Sequence, residues 1–167
     1  MKKQKGFSLI ELLIVVAIIL IIAAIAIPNL MRSRMAANES SAVGSLRTMN
    51  TAEVTYSTTY GTGFAPLANL GGADPCAAAA ATACLIDSVL TAGTKSGYTI
   101  STPAPGALGT AIAPNVVYQA GAQPVAAGQS GQRSFCSDQS GVIRANPAGG
   151  APPANCAGAA AFLPLNN

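Results

Sequence analysis

Residues 6–31 read GFSLIELLIVVAIILIIAAIAIPNLM, and this stretch decides how the rest of the chain must be organised. Residues 12–27 are all apolar, and in residues 7–27 only Ser8 and Glu11 are polar. As a helix, those twenty-one residues would extend ~31 Å, about the hydrocarbon thickness of a bilayer. Lys2, Lys3 and Lys5 precede the run and, by the positive-inside rule, place the start on the cytoplasmic side and everything after Pro28 outside. The segment therefore reads as membrane-spanning, with one carboxylate near its beginning.

Outward from that helix the composition narrows the function. The chain has 167 residues, 50% hydrophobic and only 9% charged, enough for one domain with an appendage. Its net charge of +3 comes from the first five positions, which hold three of the nine basic residues and leave six against six acidic. Six scattered cations form no patch, so no affinity for nucleic acid is expected. There is no histidine, and Glu11 is one of only six acidic residues, which leaves little for a catalytic triad or a carboxylate pair. Gly93-Thr94-Lys95-Ser96 lacks the spacing of a phosphate loop and reads as the loop after a helix at 86–90. Asp74, Asp87 and Asp138 would hold calcium only if folding gathered them, and scattered surface aspartates are the commoner case. No cofactor and no metal site is expected.

Four readings of the amino terminus compete. A secretory signal would use Ala24-Ile25-Ala26 as its small-residue site, a plain anchor would need no motif, and a buried core helix would be expected to show polar relief. Glu11 separates the fourth from these. A carboxylate at the centre of a membrane helix costs about 2.5 to 3.5 kcal/mol, so it is normally paired or held near an interface. Gly6-Phe7-Ser8-Leu9-Ile10-Glu11-Leu12-Leu13 resembles the amino-terminal motif of the type IV pilins, and the resemblance extends from Lys2 to about Tyr60. It implies a leader 1–6 cut by a membrane peptidase between Gly6 and Phe7, N-methylation of Phe7, and Glu11 as the acidic residue that serves assembly. The amine of Phe7 would sit at a helix amino terminus, where Glu11 is favourable through the helix dipole and through charge pairing, within one chain or between neighbours.

The same resemblance implies an α+β fold, a long apolar helix packed on a small antiparallel sheet. The expected division is 7–28 as membrane and filament-core half of the helix, 29–60 as its amphipathic half, 61–97 as a connecting loop, and 98–167 as sheet and carboxy-terminal loop. Pro28 removes a backbone donor and is expected to kink or locally melt the helix. Beyond it Val43, Leu46, Met49, Ala52, Tyr56 and Tyr60 recur at three or four residues, a core-facing stripe that Gly61-Thr62-Gly63 ends. Strands are expected at 98–102, 116–120 and 133–136, with a possible fourth at 142–144 after the turn at 138–141. The Asn38-Glu39-Ser40 sequon falls in a helix and reads as chance.

Cys76, Cys84, Cys136 and Cys156 are an even set in an exported domain and allow three pairings. Pairing 76 with 84 and 136 with 156 is favoured, since short loops close readily and pilins often staple a carboxy-terminal loop. It conflicts with the alanine run 77–81, which reads as helix: eight helical steps put the cysteines ~12 Å apart, and a disulfide needs about 7 Å or less. If the two are bonded, the run must be looped. The function implied is a structural subunit, a homo-oligomer in a helical fibre used for adhesion and twitching motility. Its partners would be the inner membrane, the peptidase and methylase, and an assembly platform with its ATPase; it would end in an extracellular pilus. A pseudopilin of a type II secretion system is the runner-up. An exported soluble protein released after Ala26 and a DNA-uptake pilin are the readings of other classes.

Overall fold

The computed structural model describes residues 7–165, so Lys2, Lys3, Lys5 and Gly6 lie outside the described residues. The chain divides into two compact units, one ending at Arg34 and the other beginning at Met35. Helix α1, Leu9–Tyr60, runs through both and contains Pro28 without a break in its helical assignment. A proline removes one rung of the i to i−4 ladder. Here the loss of that rung does not end the helix, and no melted stretch is present at Pro28.

In the first unit no residue of the most apolar eighteen-residue stretch is buried. In the second unit α1 carries the core: Ala42, Leu46, Met49, Ala52 and Tyr56 are buried, while Val43 and Tyr60 pack at its margin. Thr48, Thr51, Thr55 and Thr58 lie outside that stripe, and each hydroxyl donates back to a carbonyl one turn earlier. Such back-bonding satisfies β-branched polar residues on an exposed helix face. Gly61 and Gly63, at φ of 66° and 77°, supply the left-handed backbone that ends the helix.

Six strands follow: β1 Thr94–Lys95, β2 Tyr98–Ala104, β3 Gln119–Pro124, β4 Ser134–Asp138, β5 Arg144–Asn146 and β6 Leu163–Pro164. They form one antiparallel sheet in sequence order. Two short helices, α2 Leu67–Leu70 and α3 Ser88–Thr91, lie between α1 and the sheet in the chain, and Asp87 caps α3 by accepting the Leu90 N–H at 2.6 Å. The fold is α+β, a long apolar helix packed against an antiparallel sheet, consistent with the type IV pilin fold.

The sheet departs from the sequence reading in number and in register. Two outer strands of two residues carry no periodicity to read, so three or four became six. The strand expected at 116–120 lies at Gln119–Pro124, because Val116 and Val117, the best strand formers, belong to an exposed loop. The segment that pairs is rich in Ala and Gly, since close packing selects small residues: a Cβ on Gly121 would stand 2.4 Å from Pro152 Cβ. Likewise the fourth strand is at Arg144–Asn146 rather than 142–144. Alternation puts Ala120, Ala122 and Phe135 toward α1 and Gly121 and Cys136 on the opposite face. There Cys136, Cys156 and Phe162 build a second small core, which explains why β4 is buried throughout.

The disulfides join Cys76 to Cys84 and Cys136 to Cys156, with Cα atoms 6.0 Å and 5.9 Å apart. The alanine run between the first pair is looped, closed on itself by the Ala79 and Thr82 bridge. The Tyr56 hydroxyl reaches from α1 and donates to the Ala80 carbonyl at 2.7 Å.

Candidate functional site

The first candidate site is the start of α1. Ser8 precedes the helix, and its carbonyl accepts the first helical bond, from Leu12 N–H at 3.3 Å. Its own N–H donates to Glu11 Oε2 at 2.9 Å. That contact is half of a capping box, in which a glutamate three residues into the helix satisfies the N-cap amide that has no helical acceptor. Sequence reasoning weighed Glu11 only as a charge and missed this role, although Ser8-Leu9-Ile10-Glu11 is the S-x-x-E signal. Phe7, 81% exposed, stands one residue before the cap. The carboxylate thus has one oxygen held by the backbone and its other oxygen open to a cation at the helix amino terminus.

The surface beyond Glu11 is hydrocarbon. Leu9, Leu12, Leu13, Val16 and Leu20 flank Ala17, whose short side chain leaves a shallow groove of about 350 Å³ on the helix surface. Exposing this much apolar surface to water is costly at about 25 cal/mol per Å², so the face is built to be covered by lipid or by another helix. At Pro28 the ladder loses one donor within this exposed helix.

In the second unit α1 is fixed to the sheet by polar contacts that hydrophobic periodicity does not show. Glu39 Oε1 accepts the N–H groups of Gln132 and Arg133 at 2.9 and 3.1 Å, and Oε2 pairs with Arg133 Nε at 2.8 Å. Burial works against its charge, but the two backbone donors and the guanidinium outweigh it and hold the carboxyl below its ordinary value. Asn38 Nδ2 donates to the Ser130 carbonyl at 2.8 Å, which occupies the sequon side chain within the fold. Asn50 accepts from the Tyr118 hydroxyl and donates to Ser137 Oγ, both at 2.9 Å. The helical spacing 39, 42, 46, 49, 53, 56 is the signal that would have placed Glu39 and Glu53 on the core face.

The three aspartates do not come together among the described residues. Asp87 pairs with Lys95 at 2.8 Å, and that lysine, with the helix amide, holds its carboxyl low. Asp138 accepts from the backbone N–H and the hydroxyl of Ser140 in the turn after β4, and Asp74 stands in the loop before Cys76. Gly93 and Gly97 flank the short β1 turn rather than a phosphate loop.

Comparison with known proteins bears on the same segment. Residues 1–27 match the family described as the prokaryotic N-terminal methylation motif. Over 40 residues, 24% of this chain, it is 60% identical to the type IV wide pilus major component PilA4 of Thermus thermophilus, covering 30% of that protein. Over 54 residues, 32% of this chain, it is 46% identical to the type IV major pilin protein PilA of Myxococcus xanthus, covering 24% of it. The chain thus matches less than a third of the length of these relatives. No solved structure matches. The amino terminus carries the prokaryotic N-terminal methylation motif, and the α+β fold behind it is the one that the resemblance to type IV pilins implies.

Proposed function

We propose that this chain is the structural subunit of a type IV pilus. The carrying observation is the join of two features: the methylation motif at residues 1–27 and an α1 surface that leaves its most apolar eighteen residues entirely uncovered. The two relatives are named as major pilus components, which supports the same reading. Before assembly the apolar half of α1 spans the inner membrane, with Lys2, Lys3 and Lys5 in the cytoplasm. A peptidase cuts between Gly6 and Phe7, and the new amine of Phe7 is methylated. Extraction and polymerisation, driven by an assembly platform and its ATPase, then exchange lipid for neighbouring helices, and the fibre emerges outside the cell to serve adhesion and twitching motility.

In that fibre Glu11 has a second task. Its Oε2 already holds the Ser8 amide, and its other oxygen meets the Phe7 amine of an adjacent subunit in a low-dielectric core. Pro28, which weakens one turn, is where we place flexing of the helix as it leaves the bilayer. The chain acts through packing and carries no chemistry of its own.

Sequencing the amino terminus of the mature protein, with electron microscopy of sheared material, tests this. A methylated Phe7 in long fibres is the expected result. A mature start at Ile27 overturns it in favour of an exported soluble protein, and correct processing without surface fibres overturns the pilus in favour of a secretion pseudopilin.

A further inference from the structure

Glu53 lies on the core face of α1 with no exposed surface. Its Oε2 accepts the Ala65 N–H at 2.9 Å, while Oε1 is buried with no hydrogen-bond partner. Ala65 belongs to segment 61–66, where the chain leaves the helix. That segment is knitted to loop 105–117 through one residue, Asn115. The Asn115 N–H donates to the Thr62 carbonyl at 3.0 Å, and its carbonyl accepts the Phe64 N–H at 2.9 Å. Its side-chain amide donates to the carbonyls of Phe64 and Ala107 at 2.9 and 2.8 Å. The Phe64 ring stands edge-on to Tyr118, with centroids 4.7 Å apart. Glu53 therefore holds the buried Ala65, and through it both segments, to the helix, alongside the Gly61 N–H bond to the Ser57 carbonyl at 3.1 Å.

The surroundings offer the carboxylate no counter-charge. Segments 61–66 and 105–117 contain no ionisable side chain, and Glu53 makes no ion pair among the described residues. From the loop just before β3 it faces Tyr118, whose hydroxyl burial and the charges of Glu53 and Asp138 push upward, so that it stays neutral. Asp138, beyond it, adds negative charge. Tyr56, one turn along α1, spends its hydroxyl on Ala80.

We propose that Glu53 is a proton-operated latch: neutral, it holds segment 61–66 on α1, and ionised, its unpaired buried charge favours release of that segment together with loop 105–117. The neutral acid keeps an oxygen that accepts the Ala65 N–H. The anion leaves a charged oxygen in an apolar core, where it costs far more than the single amide bond returns. Burial accordingly pushes its carboxyl up to about 7, with the Ala65 bond opposing. In the released state the carboxyl is in water and ionises near its ordinary value of 4.5. The closed state thus binds the proton more tightly, and opening becomes easier as pH rises between those values. The part set free carries Ile112 and Val116, 98% and 73% exposed, so the latch governs how firmly this apolar surface is presented.

Hydrogen exchange read by mass spectrometry on the full chain in detergent micelles, between pH 5 and 8, tests the latch once each rate is divided by the intrinsic rate at that pH. The opening constant of amides in 62–66 and 107–117 should rise about tenfold per pH unit up to about pH 7 and then level off. In Glu53→Gln, which keeps an acceptor for Ala65, it should be flat. Equal slopes in the two proteins, or a flat wild type, overturn the proposal. Should Glu53→Gln fail to fold, the carboxyl carbon resonances of the chain's three glutamates decide it in the wild type: a Glu53 midpoint below pH 5 overturns the latch, and one near 7 supports it.

Discussion

Glu11, Glu39 and Glu53 are the three glutamates of the chain, all on α1, and each meets a different solvent. If Glu11 meets a Phe7 amine within an apolar fibre, Glu11→Val should insert into the membrane and be cleaved normally, yet yield little fibre. Losing one partner of such a pair leaves the other charge buried, at about 3 to 5 kcal/mol. Glu11→Asp should fall between. Comparing membrane-bound precursor with sheared fibre measures this, and wild-type fibre from Glu11→Val would refute the assembly role. A bulky residue at Gly6 should instead leave uncut precursor, visible as a heavier band in the membrane fraction. Glu39 is held by three donors, so Glu39→Ala should cost about 2 kcal/mol, more than Glu39→Gln, which keeps an acceptor for the two amides. Its carboxyl lies below its ordinary value in the fold, so the stability it supplies is complete above pH 4.5 and fades as acid protonates it. Denaturant titrations at pH 7 and pH 3 should therefore show the gap between wild type and Glu39→Gln closing at the lower pH.

At the scale of elements, β3 and β4 are sandwiched between α1 and the carboxy-terminal loop, and small residues permit it. Gly121→Ala would drive a Cβ to 2.4 Å from Pro152, a backbone-linked ring that must shift. A loss of about 1 to 3 kcal/mol is expected, read as a lower unfolding midpoint. The Cys136 to Cys156 bridge closes a chain separation of 20 residues over Phe162. Replacing both cysteines by serine should cost about 3 kcal/mol and expose the outer face of β4 to exchange, while the α1 side of the sheet keeps its protection.

The whole molecule joins a surface that water rejects to a unit with its own core. A chain beginning at Met35 should therefore fold as a soluble monomer by sedimentation, since the second unit is held by its own apolar core and polar network. It should not polymerise. No aromatic residue stands between Phe7 and Tyr56, so fibres of the proposed kind would have no stacked path along their helices, and four-probe measurement on them should find no metallic-type conduction.

Patterns of near neighbours were legible in the sequence. The apolar run, the motif around Glu11, the stripe through Leu46, Met49 and Tyr56 and the glycines that end the helix depend on period, composition and φ preference. They therefore gave α1, while the α+β class followed from the resemblance to type IV pilins that the motif around Glu11 carries. Even the conflict over residues 76–84 was visible, because helix rise and disulfide reach are incompatible whatever surrounds them. What needed the tertiary structure was whatever depends on residues distant in the chain. Val116 and Val117 prefer strand, but Asn115 is pinned to Thr62 and Phe64 and holds them in a loop, while Ala120, Gly121 and Ala122 pair because little else fits between α1 and Pro152. Glu39 and Glu53 occupy equivalent places on one helix face, and nothing local tells them apart. Glu39 finds two amides and an arginine more than ninety residues on. Glu53 finds one amide and an apolar core. A carboxylate's charge state follows from its partners and its access to water, and only folding decides those.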